Sequence, residues 1–135
     1  MLKSYPFISL SQALALARIV TAVLFMAHAV VRIANGSIPQ FGKFMSSVGF
    51  PQGEAVVWAI TVVELVAGTL LILNRQVRYA ATALFAIAAV GIVLIHRHLG
   101  WFVGEHGTGG SEFSVALMML LVIVAAADRR GGARL

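Results

Sequence analysis

Four long apolar stretches, separated by short polar segments, dominate the sequence. Each is close to the roughly 20 residues that an α-helix needs to cross the hydrocarbon core of a bilayer. None alternates apolar and polar residues as a transmembrane strand does. The pattern predicts an all-α polytopic membrane protein, folded as one domain over residues 1–135. Its predicted architecture is an antiparallel four-helix transmembrane bundle with spans at about 9–33, 53–73, 77–99 and 111–128.

Two of the connecting segments are informative. Between Asn35 and Phe50, apolar residues recur at helical spacing among glycines and polar residues, which predicts a short amphipathic helix on the membrane surface or capping the bundle. Asn74-Arg75-Gln76 is long enough only for a tight turn, so the second and third spans must be neighbours.

Composition supports the membrane class. The chain is 60% hydrophobic and 11% charged, whereas soluble domains carry about 25% charged residues. The net charge is +5, but the basic residues are scattered, so the predicted surroundings are a lipid bilayer and not nucleic acid. The absence of cysteine excludes disulfides, thiol redox chemistry and thiolate metal sites.

The distribution of Lys and Arg predicts an orientation. With the N-terminus inside, the inner side carries six basic residues and the outer side three. Cytoplasmic loops carry the excess of positive charge, so we expect a cell (inner) membrane protein with both termini cytoplasmic. The inner set is Lys3, Arg75, Arg78, Arg129, Arg130 and Arg134, and the outer set is Arg32, Lys43 and Arg97.

Two ionisable residues lie deep in the predicted spans. Arg18 is about 12 Å and Glu64 about 15 Å from the inner ends of the first and second spans, at 1.5 Å per residue. Because antiparallel neighbours would bring them to one depth, we predict a buried Arg18–Glu64 ion pair. It would fix the helix register, or alternatively grip the polar head of a ligand.

Other polar residues gather at the outer ends of all four spans. His28 and Arg32 are four residues apart and share one helix face. The segment from His96 to Glu112 holds three of the four histidines and many glycines. A polar insert of this kind must lie at a membrane surface or line a cavity. The candidate ligand-binding residues are His28, Arg32, Glu64, His96 and Glu112.

Metal and haem sites receive less support. His96 and His98 would point about 200° apart on a continuous helix and could share an ion only if the helix ended there. No HExxH or HxxxH pattern is present. Haem ligation by His28 and His96 is compatible with the spacing but not demanded by it. We therefore predict neither a metal nor a haem.

Several pieces of the sequence, in order, resemble the DoxX family of small four-span membrane proteins. They include Ala17-Arg18, Val48-Gly49-Phe50-Pro51, the run from Val63 to Leu73, His96 with Gly100-Trp101-Phe102, and the run from Gly109 to Ser114. The family takes its name from a subunit of a thiosulfate:quinone oxidoreductase. The resemblance therefore implies a four-span fold and a quinone-linked role.

Two functions follow as hypotheses. The first is a quinone-linked oxidoreductase subunit or accessory. Its cofactor would be a quinone in a polar pocket at the outer end of the bundle. Its partner would be a soluble or membrane oxidoreductase. The second is a non-enzymatic membrane scaffold or small-solute carrier, because the sequence contains no complete catalytic constellation. A homo-oligomer is compatible with both. The sequence leaves open whether the protein is an enzyme.

Overall fold

The structure is a computed structural model, which describes residues 4–102 and 110–128. These residues form five α-helices and one short 3₁₀ helix and contain no strand. The helices are α1 (Leu10–Ala34), α2 (Ile38–Ser47), α3 (Gly53–Ile72), α4 (Val77–Leu94) and α5 (Glu112–Ala126), and the 3₁₀ helix, η1, spans His96–Leu99. The all-helical prediction is confirmed.

The four longer helices close into a ring. Helix α1 packs against α3, α3 against α4, α4 against α5, and α5 returns to α1. Because consecutive members of the ring run in opposite directions, this is the predicted antiparallel bundle. One end carries the start of α1, the end of α5 and the α3–α4 turn, and is called the terminal end below. The opposite end, called the loop end, carries α2 and η1.

Three of these helices, α1, α3 and α4, are long and apolar enough to cross a membrane. Helix α5 is apolar but has 15 residues, or about 22 Å, which is less than the roughly 30 Å of hydrocarbon in a typical bilayer. Many large apolar side chains on these helices lie outside the protein core, as expected where lipid surrounds the bundle. The protein is therefore a multi-pass membrane protein.

Small residues allow the helices to approach closely. Leu71, Leu84 and Leu121 are almost completely buried in the hydrophobic core. A Cβ atom added at Gly68 would lie 2.7 Å from the Sδ of Met26 on α1, well inside van der Waals contact. A larger residue at position 68 would therefore require the Met26 side chain to move from its place in the α1–α3 contact.

The predicted amphipathic helix is present as α2, which packs against α3. Ile38 and Met45 of α2 are buried in a cluster with Val57 of α3. At the crossing, a Cβ atom on Gly42 would lie 2.6 Å from the Cα of Glu54. Because both residues 42 and 53 are glycines, the backbones of α2 and α3 come close enough to hold α2 over the loop end.

Arg18 does not form the predicted ion pair with Glu64. Its Nη1 donates to the carbonyl oxygen of Leu71 and, at 3.1 Å, to that of Ile72. The prediction measured depth from helix ends that were assumed to be level. In the structure α1 begins well beyond the last turn of α3, so Arg18 lies opposite the end of α3. There it neutralises the partial negative charge of terminal carbonyl groups.

The third predicted span is shorter than expected. Helix α4 ends at Leu94, and the chain continues through Ile95, whose φ of −123° is not helical, into η1. The polar residues of η1 therefore lie beyond the apolar helix, which places His96 outside the membrane-spanning segment. This break separates His96 from the regular helical geometry on which the sequence prediction relied.

Candidate functional site

A half-open cavity of about 410 Å³ lies at the loop end of the bundle. Residues from all five α-helices and from η1 contribute to its wall. Most of the wall is apolar, and four ionisable side chains interrupt it. The ionisable residues are His28, Arg32, Glu64 and His96, and the apolar ones include Phe25, Phe41, Met45, Ile60, Ile87, Leu94, Phe113 and Leu117. This space is called the loop-end cavity below.

The deepest polar feature of the cavity is an ion pair between α1 and α3. The Nη1 of Arg32 lies 2.9 Å from the Oε2 of Glu64. The side chains of Arg32 and Glu64 are 15% and 5% exposed, respectively. Removing either partner would leave the other charge unpaired in a poorly solvated place, so the pair is needed to make both burials tolerable.

Two further contacts fix the position of Arg32. Its Nη1 also donates to the Oγ1 of Thr61 at 2.8 Å, and Thr61 in turn donates to the Val57 carbonyl at 2.8 Å. On the other side, the Arg32 Cζ lies 5.7 Å from the ring centroid of Phe41 on α2, within cation–π range. The guanidinium group is thus held by α3 and covered by α2.

His96 supplies the least satisfied polar atom of the cavity wall. Its ring lies over Gly91, where a Cβ atom would be 3.7 Å from Cδ2. Its Nδ1 is buried and has no hydrogen-bond partner among the described residues. Burial lowers the pKa of His96 below its usual 6.5, and the nearby His28 lowers it further. The imidazole is therefore neutral at pH 7, with one nitrogen that can donate and one that can accept a hydrogen bond.

His28 and Phe113 border the same cavity from α1 and α5. Their ring centroids are 6.5 Å apart with an interplanar angle of 51°. His28 also interacts electrostatically with Glu64 and with His96. His28 is therefore close enough to both residues for its charge to affect them.

Glu112, the fifth predicted ligand-binding residue, does not line the cavity. It opens α5, and its backbone N–H donates to the carbonyl of Trp101 at 3.0 Å, while Ser111 N–H donates to Gly100 at 3.0 Å. These two bonds join residues 100 and 101 to the start of α5. Gly110 is required beside them, since a Cβ there would lie 2.6 Å from the Trp101 carbonyl oxygen.

Four of the five predicted ligand-binding residues line the cavity. The sequence analysis did not identify three residues in contact with them, which are Phe41, Thr61 and Phe113. Thr61 could have been found, because it precedes Glu64 by one helical turn and shares its face. Phe41 and Phe113 carried no such signal, since any apolar residue of α2 or α5 would fit the pattern. Glu105 and His106, which belong to the polar segment between His96 and Glu112, lie outside the described residues.

A family model described as DoxX matches residues 13–97, which is more than half of the chain. The chain belongs to the DoxX family. No curated protein and no solved structure matches the sequence. All four ionisable residues of the loop-end cavity lie within the matched range, whereas Glu112 lies outside it.

The loop-end cavity of this DoxX protein is largely apolar, and the opposite charges of its ion pair cancel. Arg32 and Glu64 neutralise each other, and His96 is uncharged. Within the described residues, no group of three or more His, Asp or Glu side chains could hold a metal ion. The arrangement is suited to a neutral, largely apolar molecule with a hydrogen-bonding group.

Proposed function

We propose that this DoxX protein binds a quinone in the loop-end cavity and serves as a membrane subunit or accessory of an oxidoreductase. The observation that carries the proposal is the neutral His96 imidazole, which lies in the mostly apolar wall of the cavity and makes no hydrogen bond with the described residues. A ligand carbonyl that accepts a hydrogen bond from this imidazole would satisfy a polar group that the described residues leave unpaired.

The dimensions and polarity of the cavity support a quinone. Its 410 Å³ falls in the range of roughly 300–1,000 Å³ that is typical of small-molecule sites. The aromatic rings of Phe41 and Phe113 in its wall suit a planar ring. Because its charged residues pair with each other, the cavity offers no net charge to attract an anion.

A bound quinone would supply the capacity to accept two electrons and two protons. The residues of the chain would hold it. His96 would donate to a ring carbonyl from the ring nitrogen that carries the proton, and the Arg32–Glu64 pair would form a fixed polar wall that need not reorganise on binding. His28, the more exposed histidine, would connect the cavity to the membrane surface.

We further propose that a partner protein provides the electrons. The chain contains no cysteine and therefore no thiol–disulfide or iron–sulfur centre of its own. With both termini in the cytoplasm, as the charge distribution predicts, the cavity would open towards the outer face of the cell membrane. An electron donor would then dock at that face.

Quinone binding can be tested with the purified protein in a neutral detergent. We expect a short-chain ubiquinone to bind saturably in isothermal titration, and His96→Ala to weaken the affinity by about two- to tenfold, as for loss of one hydrogen bond. His98→Ala is the matched control, because His98 is two residues away in η1 and does not line the cavity. A charged naphthoquinone sulfonate should bind less tightly than the neutral naphthoquinone.

Absence of quinone binding, or equal losses in His96→Ala and His98→Ala, would refute the quinone site. If an oxidoreductase nevertheless copurified with the protein, the result would favour a scaffold. Turnover of a donor and a quinone by the purified protein alone would instead show that no partner is needed.

A further inference from the structure

The terminal end of the bundle carries a second opening, at the turn between α3 and α4. This cavity of about 690 Å³ is called the turn cavity. Two arginines and three uncharged polar side chains make up most of its lining, together with one aspartate, one leucine and one tyrosine. Its residues are Leu70, Asn74, Arg75, Gln76, Arg78, Tyr79, Thr82 and Asp128.

The turn itself is rigidly constructed. Asn74 adopts a left-handed conformation with φ of 55°. Its N–H donates to the Leu71 carbonyl at 3.1 Å, and the N–H of Arg75 donates to the Leu70 carbonyl at 2.9 Å. These two bonds are those of a Schellman motif, which ends a helix in a single defined geometry. The backbone of Arg75 is therefore fixed, and its side chain starts from a constant position at the rim of the cavity.

Arg75 supplies a positive charge that no described residue neutralises. Its side chain is exposed and makes no hydrogen bond or ion pair with the described residues. Arg78, in the first turn of α4, contacts Asp128. Its Nη2 donates to the Asp128 carbonyl at 3.0 Å, and its Nε lies 4.0 Å from Asp128 Oδ2. The Asp128 side chain is 8% exposed and that of Arg78 is 44% exposed. The accessible charge of the cavity is consequently positive.

Apolar surface adjoins this charge on the lipid-facing side. Leu73 is 60% exposed and Tyr79 is 78% exposed. Because α3 and α4 are membrane-spanning helices, the turn between them lies at the boundary between headgroups and hydrocarbon. The site therefore presents guanidinium groups to the headgroup layer and apolar side chains to the acyl layer.

We propose that the turn cavity binds the headgroup of an anionic phospholipid. The phosphate would be held by Arg75 and by the exposed part of Arg78, and the acyl chains would lie along Leu73 and Tyr79. Basic pockets between membrane helices are suited to such headgroups. The adjoining apolar surface favours a lipid over free phosphate, which would gain nothing from it. This site is independent of the quinone proposal, because it lies at the other end of the bundle.

The test uses the full-length protein in a neutral detergent, with native mass spectrometry to count bound lipids. Phosphatidylglycerol is titrated against phosphatidylcholine of identical chains. We expect preferential retention of phosphatidylglycerol and an about fivefold loss of its affinity in Arg75→Gln, as for one basic residue near the membrane surface. Lys43→Gln is the matched control, because it removes an exposed basic residue from α2 at the loop end.

Three outcomes would overturn the proposal. The first is equal retention of the two lipids, and the second is an equal effect of Arg75→Gln and Lys43→Gln. The third is full displacement of phosphatidylglycerol by millimolar inorganic phosphate, which would assign the cavity to a free anion. Far-UV circular dichroism and melting in lipid-free detergent should be unchanged in Arg75→Gln, since its side chain has no partner within the described residues to lose. Arg75→Lys should keep most of the preference.

Discussion

The ion pair between Arg32 and Glu64 makes a quantitative prediction about the stability of the bundle. Replacing Glu64 by Gln leaves a guanidinium that is 15% exposed without its carboxylate, and replacing Arg32 by Gln leaves a carboxylate that is 5% exposed without its cation. Breaking a buried pair from one side costs about 3–5 kcal/mol. We therefore expect each single substitution to lower the free energy of unfolding by an amount in this range.

The double substitution should cost less than the sum of the two single ones. The second change removes the charge that the first left unpaired, so the two effects are coupled by about 1–3 kcal/mol. The measurement is reversible unfolding in mixed micelles by titration with an anionic detergent, applied to the wild type, both single variants and the double variant.

The same comparison of single and double variants, made for Arg18 and Glu64, provides the control. Arg18 donates to the carbonyls of Leu71 and Ile72 and makes no contact with Glu64, so the losses in Arg18→Gln and Glu64→Gln should add within about 0.5 kcal/mol. Additive losses for Arg32 and Glu64, or strong coupling between Arg18 and Glu64, would show that the helix register described above is wrong.

Three further predictions concern packing, pH and topology. Gly68→Ala should destabilise the protein by about 1–3 kcal/mol through overpacking, whereas Gly91→Ala, whose Cβ would meet its nearest neighbour at 3.7 Å, should be tolerated in the same unfolding assay. The pKa of His96 is lower in the folded protein than in the unfolded chain. When the pH falls, the His96 imidazole is therefore protonated first in the unfolded chain, which favours unfolding. The free energy of unfolding should consequently decrease as the pH drops below about 6.5. His96→Asn should lack this part of the pH dependence. Because the chain has no cysteine, a Cys introduced at Gln52 should react with an impermeant thiol reagent in intact cells and one at Gln76 should not. The reverse pattern would place both termini outside.

The sequence was sufficient for the helical architecture because long apolar runs and a short turn leave few alternatives. The antiparallel ring, the amphipathic helix α2 and the adjacency of α3 and α4 all follow from such patterns. The relative shift of neighbouring helices along their axes does not follow, since apolar surfaces pack well at several registers. Counting from helix ends therefore selected Arg18 as the partner of Glu64, although Arg32 occupies the matching level.

The sequence was likewise sufficient for part of the candidate site and insufficient for the rest. His28, Arg32, Glu64 and His96 share a cavity because the ends of antiparallel helices come together, which the pattern of polar residues indicates. The position of Glu112 depends on how the chain closes between Trp101 and α5, and hydrogen bonds between backbone groups decide that geometry. Backbone groups are the same for every sequence, so composition holds little information about them.

The contact made by Arg18 has a consequence for evolutionary comparison. Its acceptors are the peptide carbonyls of residues 71 and 72, which persist whatever side chains those positions carry. Substitutions at 71 or 72 can therefore neither break the contact nor compensate for loss of the arginine. Among homologues, Arg32 and Glu64 should vary together as a pair, whereas Arg18 should be retained or lost alone. A covariation map would then detect the first interaction and overlook the second, although both join α1 to α3.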